Sequence, residues 1–154
     1  MKVAHSETFR CPPQVLWSWI DETEKSKQWL RGLEEVIPLT PGPKRAGSRA
    51  TLRIREGRRL SDYEQTVLDY VPEQRFHMKM EGGCLRGMAI DVDYRLTELP
   101  DGNTRLDYAC STETNGLLRV FSVLFAVFGK LQLRSFFRTL KKLAEGEALA
   151  GAAR

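Results

Sequence analysis

His5 and Glu7 stand two residues apart in an alternating run, with Val3 and Phe9 on the same parity and Ala4, Ser6 and Thr8 on the other. On a strand that spacing puts imidazole and carboxylate on one face. There they could serve as an acid–base pair or hold the polar group of a ligand. The plainer alternative is a strand near a sheet edge whose polar residues reach water. A second group, Tyr94, Tyr108, Cys110 and Thr112, falls on the predicted inward faces of two adjacent strands. A few hydroxyls among many apolar groups are the usual means of orienting a ligand in a pocket. Alternatively each hydroxyl satisfies a backbone carbonyl or a water. His77 alternates with Phe76 and Met78, which predicts that it faces solvent.

Recognised catalytic signatures are missing. The sequence has no phosphate-binding loop, dinucleotide-binding glycine motif, zinc-protease helix motif, nucleophile elbow or calcium-binding loop. It holds two histidines and three scattered cysteines, Cys11, Cys84 and Cys110, with no closely spaced pair. This argues against a transition-metal site, a zinc ribbon or a redox motif. Neither metal nor cofactor is expected. Common hydrolase, kinase and dehydrogenase chemistries are disfavoured on the same ground.

Charge is unevenly placed. Residues 44–59 hold Lys44, Arg45, Arg49, Arg53, Arg55, Arg58 and Arg59 against Glu56 alone, in a chain of net charge +4. Such a stretch could attract an anionic ligand, a membrane surface or nucleic acid. It could equally be a solvated strand edge and turn. No recognition helix or aromatic-interleaved RNA motif accompanies it, so no nucleic-acid partner is expected. No charged segment followed by an apolar one opens the sequence, and a soluble cytoplasmic protein is expected.

The elements that must position these groups follow from periodicity. Lys2 to Arg10 reads as a strand, stopped by Pro12-Pro13. Proline suits the first turn of a helix, and Leu16, Trp19 and Ile20 follow at helical spacing. Asp21 with Glu24 has capping-box spacing for a second short helix ending near Trp29. Pro38 to Gly47 is a loop. Period-two runs then cover Ala50–Arg55, Leu60–Val71, Phe76–Glu81, Met88–Thr97 and Leu106–Glu113, with a hairpin turn at Pro100-Asp101-Gly102-Asn103. Hairpin-linked strands with one wet face imply an antiparallel sheet of about seven strands.

A helix of roughly thirty residues closes the chain. Its first part, Leu117 to Phe128, is apolar on almost every side, whereas a soluble helix normally hides one stripe. The run is well short of the roughly twenty residues that span a bilayer. In the second half Leu133, Phe136, Phe137, Leu140, Leu143 and Ala144 form the stripe that packs on the sheet. Projected back, that stripe becomes Ala126, Gly129, Ser122 and Arg119. Small side chains there leave room for a cavity flanked by Phe121 and Phe125; close helix–sheet contact or a kink at Gly129 is the alternative. The opposite face runs Val120, Leu124, Val127 and Leu131, then Arg134, Arg138 and Lys141. It could make a homodimer or transient membrane contact, or be covered by the loop after Gly32 or by the second helix.

Several residues in this order resemble the START-like superfamily, in particular its polyketide cyclase/dehydrase and lipid-transport branch. They are Pro12-Pro13 with Leu16-Trp17, Trp29, the Gly42 to Gly47-Ser48 loop, Val67, Pro72 and Phe76, then Gly102, Thr104 and Leu106, and finally Leu140 and Leu143. The resemblance implies an α+β helix-grip fold, with a curved antiparallel sheet wrapped around a long C-terminal helix and two short helices after the first strand. It covers residues 1–154 as one domain. It also implies a deep apolar cavity for a lipid, polyketide-like or aromatic molecule. Trp29, Met78, Met80, Met88, Ile90 and Val92 would then join the tyrosines and the small helix residues as lining. A minority of such proteins catalyse cyclisation or dehydration, for which His5, Glu7 or the tyrosines would move protons. Others act as accessory proteins. The superfamily shares no catalytic motif. This chain departs from it at Glu22, where aspartate is common, and at His5 and Glu7, where apolar residues are usual.

Overall fold

The computed structural model describes residues 2–83, 89–113 and 122–152, with the backbone alone at 113 and 122–129. The chain order is β1 (Lys2–Phe9), α1 (Pro13–Asp21), α2 (Thr23–Trp29), β2 (Leu33–Pro38), β3 (Arg49–Glu56), β4 (Arg59–Val71), β5 (Arg75–Gly82), β6 (Ala89–Glu98), β7 (Thr104–Glu113) and α3 (Ser122–Ala152). The strands form one antiparallel sheet in the order β1-β7-β6-β5-β4-β3-β2. Register shifts between Leu33 and Glu35 and between Val67 and Asp69 interrupt the ladders. Bulges of this kind bend a strand and sharpen its twist. The sheet therefore curves around the three helices: a helix-grip architecture, as expected.

Each element has a local cause. Pro12 is extended at the N-cap of α1 and Pro13 occupies its first turn. The chain turns at Glu22, which returns to extended geometry and ends α1. The expected capping box is not formed. Glu22 is the N-cap of α2 and makes no side-chain cap bond, while the Asp21 carboxylate goes to Lys44 and Tyr70. Buried side chains hold the corner instead. Ser26 Oγ donates to the Trp19 and Ile20 carbonyls at 3.0 and 2.9 Å, and Trp29 Nε1 donates to the Trp19 carbonyl at 2.7 Å. The predicted hairpin closes through Leu99 N to Asn103 O at 2.8 Å, with Gly102 at positive φ. Gly32 is at φ +94°, and its carbonyl accepts from Arg55 N at 2.7 Å. A Cβ there would lie 2.6 Å from the Arg55 carbonyl oxygen, so the close approach of β2 to β3 requires glycine.

Phe137, Leu140 and Ala144 of α3 are buried, with Leu133, Phe136 and Leu143 packed beside them. This is the predicted stripe. Fully burying a Phe or Leu side chain contributes about 1.5–3 kcal/mol. Trp29, Phe9, Leu16 and Leu106 complete the enclosed core. Aromatic contacts run through it: Phe137 meets Trp29 at 6.2 Å and Tyr108 at 5.1 Å, and Tyr94 meets Tyr108 at 5.1 Å. Residues 117–121, where the apolar helix was expected to begin, lie outside the described residues.

Candidate functional site

Inward alternation on β5, β6 and β7 builds an apolar wall. Phe76, Met78 and Met80 stand on β5, Ile90, Val92 and Tyr94 on β6, Tyr108 and Cys110 on β7. Their outward neighbours are polar, His77 bonding Asp91 at 2.8 Å and Arg75 bonding Asp93 at 2.9 Å. The inward set lines a cavity of about 700 Å³. Leu52 and Ile54 of β3 extend the wall, and Ile20, Leu30 and Phe136 close it from the helices. Asp21, Arg31, Gly32, Lys44 and Arg55 to Gly57 stand at its rim.

The polar groups inside are few and uncharged. Tyr94 and Tyr108 are directly opposed in register. Burial raises both phenols far above their ordinary value, and they are raised further by Cys110, with Tyr94 also raising Tyr108. Burial also raises Cys110, while its hydrogen bond with Tyr108 works the other way. All three therefore keep their protons at neutral pH. Gln65 is 7% exposed and spends its Nε2 on the Met78 sulfur at 2.8 Å, a weak acceptor. An apolar space with protonated tyrosines can donate hydrogen bonds to a neutral oxygen, but it offers no cation to hold a deeply buried anion.

Charge is confined to the rim, and Lys44, Asp21 and Arg55 are paired there. Lys44 Nζ lies 2.7 Å from Asp21 Oδ1 and 4.8 Å from the Phe76 ring centroid. Tyr70 donates to Asp21 at 3.0 Å, and burial, with the Asp21 charge, pushes its phenol up to about 12. The basic stretch is largely neutralised by residues outside it. Arg49 bonds Glu64, Arg53 bonds Asp62 and Glu35, and Arg55 bonds Glu34. The Arg55 and Arg53 hydrogen bonds hold Glu34 and Asp62 below the usual carboxylate range. The broad electropositive patch suggested by residues 44–59 is thus mostly a ladder of cross-strand ion pairs.

The remaining candidates scatter. His5 Nε2 lies 3.0 Å from Glu7 Oε2, the His5 ring stacks on Phe137 at 4.8 Å, and Glu7 pairs with Lys141 at 3.4 Å. These two face α3 and fasten it to β1; neither lines the inner cavity. Trp29 is buried behind the wall, edge-on to Tyr94 at 6.5 Å. Thr112 is half-buried opposite Ile90 on β7. Leu131 is exposed. Met88, Cys84, Val120 and Phe121 lie outside the described residues, as do the side chains of Ser122, Leu124, Phe125, Ala126, Val127 and Gly129. The periodicity did not single out Leu52, Ile54, Gln65 or Phe136 as lining. Gln65 does share its strand parity with the inward Tyr63 and Val67, and that was the available signal. Among the described residues no cluster of His, Cys, Asp or Glu could hold a metal, and no helix is long and apolar enough to cross a membrane.

A curved sheet gripping a long helix over an apolar cavity defines the START-like class. Residues 1–145 match the family described as polyketide cyclase / dehydrase and lipid transport, and the chain belongs to that family. No curated protein matches its sequence. Solved structures share the fold at low identity. The Zhui aromatase/cyclase from Streptomyces sp. R1128 aligns with a TM-score of 0.71 at 14% identity, covering 94% of this chain and 93% of that one. Ara h 8.0201 gives 0.69 at 14%, covering 94% and 97%. A Thermus thermophilus protein, TTHA0849, gives 0.70 at 13%, covering 96% and 99%.

Proposed function

We propose that this chain is one START-like domain over residues 1–154 that binds a small, neutral, hydrophobic molecule carrying a carbonyl or hydroxyl oxygen. The observation that carries the reading is the cavity of about 700 Å³, apolar on its walls, with two protonated tyrosines side by side within it. Its size falls within the usual range for small-molecule sites. Apolar burial drives binding, at about 25 cal/mol per Å² before association costs. Tyr94 sets orientation by donating to the ligand oxygen, and Tyr108, whose hydroxyl bonds Cys110, stands beside it. Phe121, Ser122, Phe125, Ala126 and Gly129 are assigned the remaining wall, and the cytoplasm is the expected compartment.

A second reading, a cyclase or dehydratase acting on a polyketide-like substrate, is favoured by the same tyrosines, since protonated phenols near a substrate carbonyl can polarise it. His5 and Glu7 serve this reading poorly, because they are spent on each other and on α3.

The test uses anthraquinone as the probe. Met80 is half-buried on the cavity wall, so Met80→Trp fills space that a ligand needs. The wild-type protein should be thermally stabilised by anthraquinone, and the variant should fold with a similar Tm yet show no stabilisation. Ile90→Trp provides a second filling variant on β6. Severe loss of stability in both variants would mean that the space is already packed, and the reading fails.

A further inference from the structure

We propose that the outward face of α3 is a docking surface for an anionic phospholipid bilayer. Residues 130–142 contain Lys130, Arg134, Arg138, Lys141 and Lys142 and no acidic residue. Lys141 is the member that turns aside, pairing with Glu7 at 3.4 Å. The other four are exposed and have no acidic partner among the described residues. They recur every fourth residue along about 18 Å of helix, so like charges are neighbours on one face. Of the acids that follow, Glu145 stands on this face one turn beyond Lys142 and offsets one of the charges in part, while Glu147 is taken by a lysine of α2. Glu145 accepts from Arg10 N at 2.9 Å, and Glu147 accepts from Lys25 Nζ at 2.8 Å. The contrast with β3 is informative, since Arg49, Arg53 and Arg55 each have a carboxylate at hand. On α3 most of the positive charge is left for something outside the fold.

The apolar residues on this face favour lipid over other polyanions. Leu131 and Leu149 are 59% and 71% exposed. At about 100° per residue, Leu131, Arg138, Lys142 and Leu149 fall within roughly 20° of one line along the helix, with Arg134 beside it. That line is opposite the buried stripe of Phe137, Leu140 and Ala144. The leucines bracket the cations at the two ends of about 27 Å of straight rod. A planar anionic interface complements this arrangement: headgroup phosphates meet the cations, and the leucines enter the acyl boundary. A nucleic acid would match the cations and leave the leucines unused. The inference stands apart from the cavity reading, because none of these residues lines the cavity.

The test is co-sedimentation of the full chain with vesicles of phosphatidylcholine, with and without phosphatidylglycerol, across a salt series. Binding should require phosphatidylglycerol and weaken as salt rises. Replacing Arg134, Arg138 and Lys142 together by Gln should lower partitioning roughly a hundredfold, at about fivefold per cation, with the helical circular dichroism unchanged. Leu131→Ser with Leu149→Ser should weaken binding to the same vesicles while leaving the charge intact. Failure of the wild-type protein to sediment with anionic vesicles at low salt would overturn the proposal. So would equal binding to neutral vesicles, no loss in the triple variant, or capture of a DNA duplex with vesicles ignored.

Discussion

Replacing Tyr94 by Phe removes one hydroxyl and little else, and its two effects should separate. The side chain is buried, desolvation and Cys110 raise its phenol, and its hydroxyl has no hydrogen-bond partner among the described residues. Trp19 Nε1 is the enclosed side-chain polar atom that lacks a partner among the described residues. The Tyr94 hydroxyl is therefore not sealed in the core but opens on the cavity it lines. Deleting it leaves no orphan, so the ligand-free protein should keep its stability within about 0.5 kcal/mol. The complex should lose about 0.5–1.5 kcal/mol, or roughly two- to twelvefold in affinity, when the ligand carries an oxygen acceptor. Anthraquinone and anthracene have nearly the same shape and differ in carbonyls, so the pair isolates the hydrogen bond. Calorimetric titration of the wild type and Tyr94→Phe with each should show weakening for anthraquinone alone. Equal weakening for both ligands would make the effect one of packing. Loss of more than about 1.5 kcal/mol in the ligand-free variant would place the hydroxyl in a bond within the protein, and the reasoning would fail.

Other expectations test the frame that holds the site. Gly32→Ala meets both a positive φ and an approach of 2.6 Å to the Arg55 carbonyl, so it should cost about 1–3 kcal/mol in a urea titration and disturb the rim. Phe137→Ala removes a ring that touches His5, Trp29 and Tyr108, and should cost about 3–5 kcal/mol. Burial alone would raise the Asp93 carboxyl, but hydrogen bonds from Arg75 and Arg95 hold it below its ordinary 3.8. A depressed folded value stabilises the protein above the unfolded value, and the contribution is lost as pH falls through the folded one. Denaturation midpoints followed below about pH 4 should therefore fall more steeply for the wild type than for Asp93→Asn, and parallel curves would refute this.

Much of the sheet was legible because alternation is local. Phe76, Met78 and Met80 announce which face of β5 is buried before any partner strand is known, and the cavity wall on β5 and β6 could be read the same way. The buried stripe of α3 was equally plain at helical spacing. What escaped reading depends on neighbours distant in sequence. β2 is short, carries Glu34 and Glu35 near its start and pairs with β3 alone, so no period marks it. The basic stretch looked unpaired because its carboxylates lie on β2 and β4, and register, not spacing, brings Arg53 opposite Asp62. Asp21 had the spacing of a cap, yet a loop lysine and a strand tyrosine compete for it. His5 and Glu7 were correctly paired with one face, but only the position of α3 reveals that their partners are Phe137 and Lys141.

The central claim is that a guest molecule enters beneath the sheet. Methionine-methyl NMR tests it most directly, because Met78 and Met80 both line the cavity. Titration with anthraquinone should shift both methyl signals along one saturable curve. Saturable binding that leaves both signals in place would put the guest elsewhere and contradict the account.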